Sequence, residues 1–390
     1  MNIEELKMHK FIVLGYEHYT PLGVIRSLGE NGIRPILIIL KSQIRIASLS
    51  RYVAQVHRVD TNEDALNVLL KEYGNEKYKP FVYPCDDNIT EVIDKNYDLL
   101  KEKFFISNAG KAGRITQFMD KWNIIELAQK HGFNVAKTWT VKKGDVPSDI
   151  MYPVLTKPLS SYPEWKRDYY ICNNEEELKN AYDKIQRNDD LLLQQFIKKE
   201  NELCVDGMVI NKGNKMIITI ASTYTYVLPD YYSFEMIVNN FTDKKLEVIF
   251  QNMFSEIGYE GIFSAEFLVD SNGKLWFLEI NFRNSTWSWA STKLGMNLPL
   301  LWANGMRNGE ISDDVIKSIP KNYIALVEVG DFLHRVMKKK MISIFKWWKG
   351  VRKANCLYIW DKKDKKPCLI YWISLFYHFI AKKGGAIGNA

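Results

Sequence analysis

Two carboxylates and an amide stand close together in residues 263–285, on two runs of apolar residues that are typical of buried strands. The turn sequence SNGK at 271–274 separates the runs and predicts a β-hairpin. With a four-residue loop, Glu266 lies opposite Glu279, and Asn281 shares their face because side chains alternate along a strand. The hairpin is therefore expected to collect three oxygen donors on one face.

These donors predict a metal site, because facing carboxylates repel each other and are costly to bury without a compensating cation. Oxygen ligands without His or Cys suit Mg²⁺, which shares its remaining positions with water and substrate phosphates. Arg283 follows Asn281 by two residues, so it lies on the same face, where its guanidinium can bind a phosphate with two donors. The alternative is a hairpin whose charged face is simply solvated.

The N-terminal region has the pattern of a βαβ unit, with strands at 10–15 and 34–40 and a helix at 24–31. Its glycines lack the Gly-x-Gly-x-x-Gly spacing, so dinucleotide binding is disfavoured. Asp86 and Asp87 follow a strand that ends near residue 85, at the end of the sheet where ligands bind, and could hold an amine. Capping of the helix predicted at 89–100, by Asp87 or Asn88, explains these acids equally well.

Composition indicates an ordinary globular protein of two or three domains, with 390 residues of which 46% are hydrophobic. The five cysteines are scattered without a Cys-x-x-Cys pair, so they predict neither a disulfide framework nor a zinc site, and they favour a reduced cytoplasm. The N-terminus has no signal-peptide pattern. Residues 331–383 contain 14 Lys and Arg against 3 Asp, a net charge of +11. The rest of the chain therefore carries −4, and the total net charge is +7.

The hairpin motifs resemble those of the ATP-grasp superfamily, which closes its nucleotide site with Ala-Glu-Phe on one strand and Glu-x-Asn-x-Arg on the next. Here these motifs are 265–267 and 279–283, with Phe282 where relatives often have Pro. The segments around Lys121 and Lys157 are similar to carbamoyl-phosphate-synthase-like and D-aspartate-ligase-like members. The resemblance implies an α/β chain, α+β in its ATP-grasp part. It also implies a Rossmann-like domain at 1–112, an ATP-grasp domain at 113–310 with a lid at about 150–200, and a basic C-terminal segment at 311–390.

The resemblance also assigns roles to individual residues. Lys121 and Lys157 would meet the nucleotide phosphates, although Lys121 by itself would be taken for a surface lysine. Lys157 also ends an apolar strand before a proline, which suits a phosphate ligand. A linker would read the adenine edge, and the metal ligands would hold one or two Mg²⁺, with Mn²⁺ as a substitute. The linker residues are Gln194, Gln195, Phe196 and Ile197, and the metal ligands are Glu266, Glu279 and Asn281.

Three further assignments complete the expected site. Glu202 would hold the ribose, the alternative being a buried strand followed by a solvated loop. Arg283 would stabilise the transferring phosphoryl group. The lid lacks the glycines that the family often has, and its phosphate donors would be Ser160, Ser161, Lys166 and Arg167.

This resemblance implies an ATP- and Mg²⁺-dependent ligase that joins a carboxylate to an amine through an acyl-phosphate, with an amino acid as one substrate. A nucleotide-binding module of the same fold without turnover is the alternative. A dinucleotide-dependent enzyme is a third hypothesis, disfavoured by the glycine spacing. Small-molecule substrates, a homodimer and a cytoplasmic location are expected, and no nucleic acid.

The basic tail has two interpretations. The apolar run at 368–381 has about fourteen residues, too few to span a bilayer as a helix, which needs roughly twenty. Burial against the rest of the protein is the favoured interpretation. The alternative is an interfacial segment that holds the protein at the anionic inner face of a membrane.

Overall fold

The computed structural model describes residues 2–158, 169–186, 190–229 and 232–383, with side chains described as far as residue 377. The described chain forms two compact units. Unit 1 consists of Met1–Thr116, Cys204–Ala265 and Asn281–Ala390, and unit 2 of Gln117–Leu203 and Glu266–Ile280. The domain boundaries inferred from the sequence remain predictions.

The N-terminal part of unit 1 is a parallel sheet in the order β3-β2-β1-β4. Strands β1, β2 and β4 are the buried apolar strands that the sequence predicted, whereas β3 is mostly half-buried or exposed and was not predicted. Its strands are β1 Phe11–Gly15, β2 Ile36–Leu40, β3 Gln55–Val59 and β4 Phe81–Pro84. Its helices are α1 Ile3–Leu6, α2 Tyr19–Gly29, α3 Asn62–Tyr73, α4 Asp87–Lys95 and α5 Tyr97–Leu100.

The βαβ prediction is confirmed, with two corrections. Helix α2 begins at Tyr19 rather than at residue 24, because His18 caps it by accepting from the backbone N–H of Thr20. The helix predicted at 89–100 is interrupted at Asn96, and its N-cap is Asp86, not Asp87 or Asn88. The side chain of Asp86 accepts from the Ile89 N–H at 3.0 Å.

An antiparallel sheet in the order β5-β8-β6-β7 dominates unit 2. Its strands are β5 Thr138–Val141, β6 Val154–Pro158, β7 Ile171–Cys172 and β8 Leu191–Gln195. Helices α6 Arg114–Met119, α7 Lys121–His131 and α8 Glu175–Lys184 accompany it. Helix α8 begins after Asn174, whose side chain accepts from the Glu177 N–H.

A seven-stranded sheet has the order β13-β12-β9-β10-β11-β14-β15. Its strands are β9 Asn201–Ile210, β10 Lys215–Tyr224, β11 Glu235–Asn239, β12 Gly261–Val269, β13 Leu275–Asn281, β14 Tyr323–Leu326 and β15 Cys356–Leu357. The remaining α-helices are α9 Lys244–Ile257, α10 Ser288–Lys293, α11 Leu298–Asn308, α12 Glu328–Asp331, α13 Ile344–Lys353 and α14 Lys366–Lys383. Single turns at Ala47–Leu49 and Asp313–Val315 are 3₁₀-helical, and Phe332–Lys338 forms a π-helix.

The hairpin between β12 and β13 exists as predicted, but its turn is one residue shorter. Asp270 N–H donates to the Lys274 carbonyl at 3.1 Å, which leaves residues 271–273 as a three-residue loop. Gly273 occupies the left-handed region with φ 73°, a conformation that a residue without Cβ adopts at little cost. This turn does not by itself place Glu279 opposite Glu266, as the four-residue loop would have done.

The C-terminal segment is anchored in unit 1 by a buried ion pair. Arg26 Nε on α2 donates to Asp364 Oδ2 at 3.0 Å, and both side chains are at most 1% exposed. Arg26 also donates to the carbonyls of Tyr358 and Ile359, each at 2.9 Å. Because breaking such a pair leaves an uncompensated buried charge at a cost of about 3–5 kcal/mol, the segment is a structural part of unit 1.

Helix α14 follows this anchor and packs one face against the core of unit 1. The packed face comprises Cys368, Tyr371, Trp372 and Leu375. Burial, the interpretation favoured from the sequence, is therefore confirmed for that face. Within the described residues, no helix is both long enough and apolar enough to cross a membrane.

Candidate functional site

A half-buried lysine on β6 of unit 2 has a neutral partner. Lys157 Nζ donates to Gln194 Oε1 on β8 at 2.8 Å, and Gln194 in turn donates to Thr138 Oγ1 at 3.0 Å. The antiparallel register pairs Leu155 with Gln194. Lys157 is two residues beyond Leu155, so it is the diagonal neighbour of Gln194 on the same face of the sheet. Among the described residues Lys157 makes no ion pair, so its ammonium is held by a dipole rather than by a charge.

Electrostatics at this lysine favour an anionic ligand. Burial and, to a smaller extent, the positive charge of Lys121 lower the pKa of Lys157 from 10.5 to about 8, against an opposing effect of Glu279. Lys121 is the first residue of α7, which Asp120 caps by accepting from two backbone N–H groups. Two lysines whose charges disfavour each other form a site that an added phosphate would stabilise. These residues, Lys121, Lys157 and Gln194, are called the lysine group below.

In the segment predicted to bind adenine and ribose, several polar groups already have partners within the protein. The Phe196 N–H donates to the Pro153 carbonyl at 2.8 Å, so it is not available to a ligand. The Gln195 N–H is likewise bonded, to the Lys137 carbonyl at 2.8 Å, and Ile197 follows the end of β8. Glu202 on β9 is 6% exposed and pairs with Lys199 at 2.6 Å.

Glu266, Glu279 and Asn281 lie on adjacent strands, β12 and β13. Glu279 and Asn281 share a face of β13 by alternation, and all three side chains are half-buried. Their oxygen chemistry fits a hard divalent cation, and partial burial makes a compensating charge favourable. No group of three or more His, Cys, Asp and Glu able to hold a metal occurs in the described residues.

Arg283 of unit 1 is engaged by a carboxylate that the sequence did not assign to it. Its Nε and Nη2 donate to the two carboxylate oxygens of Asp87 at 2.7 and 3.1 Å, which is a bidentate pair. Nη2 also donates to Asn281 Oδ1 at 3.0 Å. To bind a phosphate or acyl-phosphate, Arg283 must therefore exchange or share these contacts.

Asp86, next to this pair, has an oxygen without a partner. Its Oδ1 caps α4, whereas Oδ2 is buried and accepts no hydrogen bond from any described residue. Burial raises the pKa of Asp86, opposed by backbone donors and by Arg283. A Cβ on Gly15, at the end of β1, would lie 3.3 Å from Oδ2, so the glycine keeps the space at this oxygen open. Residues Arg283, Asp87, Asn281 and Asp86 are called the arginine group below.

The side chain of His18 lies close enough to Arg283 for the positive charge of the guanidinium to change its pKa. Burial and, to a smaller extent, the positive charge of Arg283 lower the pKa of His18 from 6.5 to about 4. The imidazole is therefore neutral at physiological pH and serves as a hydrogen-bonding group, with Nδ1 3.0 Å from Thr20 Oγ1. Sequence reasoning missed this residue because an isolated histidine carries no motif.

The structure thus brings some expected residues together and reveals others. It joins Lys157 to Gln194, brings Lys121 and Glu279 within electrostatic reach of Lys157, and joins Arg283 to Asn281. The partners Asp87 and Thr138 were not predicted for these contacts, and no local sequence signal identifies them. The four lid donors Ser160, Ser161, Lys166 and Arg167 lie outside the described residues.

Comparison with known proteins first yields a sequence relative. The chain is 26% identical over 325 residues to the small subunit of 2-oxoglutarate carboxylase from Hydrogenobacter thermophilus, which covers 71% of this chain. The chain spans 62% of the length of that relative. No protein-family model matches the sequence.

Solved structures establish the fold. N5-carboxyaminoimidazole synthetase from Staphylococcus aureus aligns with a TM-score of 0.61 and 18% identity over 85% of each chain. Biotin carboxylase from Campylobacter jejuni aligns with a TM-score of 0.61 and 17% identity over 80% of this chain and 74% of its own. L-amino acid ligase from Bacillus licheniformis aligns with a TM-score of 0.56 and 14% identity over 77% and 74%. This chain therefore has the ATP-grasp fold, and the predicted fold class is confirmed.

Proposed function

We propose that this protein is an ATP- and Mg²⁺-dependent ligase that joins a carboxylate to an amine through an acyl-phosphate, with an amino acid as one substrate. The observation that carries the proposal is the lysine group. Its buried ammonium has an amide for a partner, is near a second lysine, and makes no ion pair in the described chain. A polyphosphate supplies the charge that this arrangement lacks.

The proposed reaction has two steps. A carboxylate oxygen of the first substrate attacks the γ-phosphorus of ATP, ADP leaves, and an acyl-phosphate forms. The amine then attacks the acyl carbon, inorganic phosphate leaves, and the amine loses a proton as the amide forms. Such chemistry is catalysed mainly by positioning the reactants and by neutralising the charge on the phosphate oxygens.

Each residue group has a part in these steps. Lys121 and Lys157 would bind phosphate oxygens, while Glu266, Glu279 and Asn281 would hold one or two Mg²⁺. The bound cation would neutralise phosphate charge and orient the phosphate chain, and Mn²⁺ would serve as a substitute. Gln194, Gln195, Phe196 and Ile197 would line the nucleotide base, with the Phe196 N–H excluded as a donor. Glu202 would hold the ribose while it keeps its ion pair with Lys199.

The arginine group suits the acceptor side of the reaction. Asp87 already neutralises Arg283, whereas Asp86 Oδ2 is a buried carboxyl oxygen without a donor among the described residues. The ammonium form of a substrate amine is the ligand that such an oxygen would bind. Arg283 would then release or share Asp87 when a phosphorylated intermediate arrives.

Bicarbonate is a second candidate for the carboxylate. The sequence relative is named as a carboxylase subunit, and the biotin carboxylase domain of that Hydrogenobacter enzyme has been solved with MgADP and bicarbonate. A dimer is also described for that domain. We infer that bicarbonate should be tested with the amino acids, and that self-association of this chain should be measured by light scattering.

The deciding experiment measures ADP and phosphate release with ATP and Mg²⁺. Bicarbonate and a panel of amino acids and amines are supplied singly and in pairs, and products are identified by mass spectrometry. We expect ADP release that depends on a carboxylate and an amide product that depends on both substrates. Tight ATP binding by calorimetry without ADP release under any combination would instead support a nucleotide-binding module without turnover.

A further inference from the structure

Helix α14 has a second apolar face that does not meet the core. Leu369, Ile373, Phe376 and Tyr377 are spaced by four, three and one residues, so they lie along one side of the helix. They are 53%, 49%, 64% and 68% exposed, respectively. The opposite side is already packed against unit 1, so this outer face is additional to the one needed for folding.

Helix α13 presents large apolar residues among basic ones. Ile344, Phe345 and Trp348 are 52%, 84% and 55% exposed, whereas Trp347 is buried and holds the helix in place. Four basic residues accompany them, and the side chains of these four make no ion pair with any residue that the structure describes. These basic residues are Lys346, Lys349, Arg352 and Lys353.

The two helices are neighbours. The rings of Trp347 on α13 and Trp372 on α14 have centroids 6.3 Å apart, and both flank Phe332 at 4.9 and 5.2 Å. Trp348 follows Trp347, with ring centroids 6.0 Å apart. Two neighbouring helices of unit 1 therefore each carry exposed apolar side chains. We call these side chains the tail surface: Ile344, Phe345, Trp348, Leu369, Ile373, Phe376 and Tyr377, with Lys346, Lys349, Arg352 and Lys353.

We propose that the tail surface binds the surface of an anionic lipid membrane. Amphipathic helices with aromatic and aliphatic residues next to Lys and Arg bind at the boundary between headgroups and acyl chains. Each basic residue near an anionic surface strengthens binding by about 1 kcal/mol, which is roughly fivefold. The +11 charge of residues 331–383 is complementary to the anionic headgroups, and the exposed apolar side chains are complementary to the acyl chains beneath them.

Two other occupants fit less well. In a symmetric dimer the same patch would face itself, so unpaired basic residues would meet their own copies and repel. A nucleic acid would satisfy the charge, but aliphatic side chains such as Leu369 and Ile373 do not stack on bases as aromatic ones do. A lipid surface accepts aromatic and aliphatic side chains alike. The inference does not depend on the proposed ligase activity.

The test uses the full chain and sedimentation with vesicles of phosphatidylcholine, alone or mixed with phosphatidylglycerol. Lys346→Gln/Lys349→Gln/Arg352→Gln should lower partitioning onto the anionic vesicles by roughly a hundredfold at low salt. The matched control, Lys71→Gln/Lys179→Gln/Lys244→Gln, removes three exposed lysines from other helices and should bind like the unaltered protein. High salt should weaken binding of the unaltered protein because it screens the charges.

A second pair of variants tests the apolar contribution. Phe345→Ser/Trp348→Ser should reduce binding about tenfold or more, because each exposed ring contributes buried apolar area in the bound state. Leu99→Ser/Val248→Ser, at two positions that are each 59% exposed on other helices, should have no effect.

Several results would overturn the proposal. One is equal binding to neutral and anionic vesicles, or no binding to either at low salt. Another is light scattering that shows a dimer which Phe345→Ser/Trp348→Ser dissociates, since a second copy would then cover the surface. Binding of single-stranded RNA that exceeds vesicle binding and is lost in the three-Gln tail variant would assign the surface to nucleic acid.

Discussion

The lysine group and the arginine group treat a buried positive charge in opposite ways. In unit 2, the ammonium of Lys157 is held by the amide of Gln194 and has no anionic partner in the described chain. In unit 1, the guanidinium of Arg283 is held in two places by the carboxylate of Asp87, and nearby Asp86 keeps an oxygen without a donor. Among the described residues, the ammonium of Lys157 is therefore held without an anion, whereas the guanidinium of Arg283 is already paired with one.

This difference indicates what each group is prepared to bind. A charge held by a neutral dipole is positioned without being neutralised, so an incoming phosphate gains the full interaction. A charge already paired must exchange its partner, so Arg283 gains less from a new anion. The lysine group therefore suits the ground-state binding of a nucleotide, and the arginine group suits a later intermediate and an amine.

The largest effect is expected at the metal ligands. Glu279→Gln keeps the shape of the side chain but removes the charge that a cation needs, so turnover should fall by roughly a thousandfold or more. Phosphate release at saturating Mg²⁺ measures it, with thermal melting to show that the protein is folded. Glu266→Gln should lose less activity, and the exposed Glu200→Gln should lose none. A folded Glu279→Gln protein with substantial activity would refute this assignment.

Removal of the lysine charge should have the next largest effect. Lys157→Ala should weaken ATP binding by about 1.5–3 kcal/mol, the scale of one charged hydrogen bond, which is roughly 10- to 150-fold. It should lower kcat more strongly, because charge on the phosphate oxygens grows during transfer. Calorimetry and steady-state kinetics measure the two effects. Lys137→Ala is the control, since Lys137 pairs with Asp149 on the exposed side of unit 2. Unchanged affinity and turnover in Lys157→Ala would make this lysine structural.

A substitution of nearly equal size can give the lysine group the kind of ion pair that the arginine group already has. Gln194→Glu would give Lys157 a carboxylate partner, as Asp87 partners Arg283, and should raise the pKa of the lysine. ATP affinity should fall by roughly tenfold, because the new carboxylate competes with phosphate and repels it. Calorimetry of this variant against Gln195→Glu tests the idea. Equal losses in both variants would show that position 194 has no special role.

The smallest effect is a dependence of ATP affinity on pH. Because burial and Lys121 lower the pKa of Lys157 to about 8, its ammonium is present below that pH and is lost above it. Phosphate binding favours the ammonium, so affinity should stay level below pH 8 and fall several-fold by about pH 9. Titration calorimetry in buffers of different ionisation enthalpy should show proton uptake near pH 8–9. Persistence of that uptake in Lys157→Ala would assign it to another group.

Local sequence patterns predicted most of the elements around these groups. Runs of apolar residues identified strands β1, β2 and β4 and the hairpin, because a strand is encoded by neighbours a few positions apart. The ATP-grasp fold followed from short motifs of the same kind. The candidate residues Glu279 and Asn281 could be named because their spacing on β13 puts them on one face, and Arg283 because it follows two residues later, just beyond the end of that strand.

Contacts between distant segments were decided by tertiary structure. Lys157 and Gln194 are 37 residues apart and meet through the register of β6 and β8, and Arg283 and Asp87 are 196 residues apart. The turn at Gly273 was placed one residue wrong, because one sequence is compatible with more than one loop length and the backbone hydrogen bonds choose between them. The sequence by itself therefore determined which charged residues line the strands. Only the folded chain decided which charges are paired within the protein, because partner choice depends on residues brought together from far along the chain.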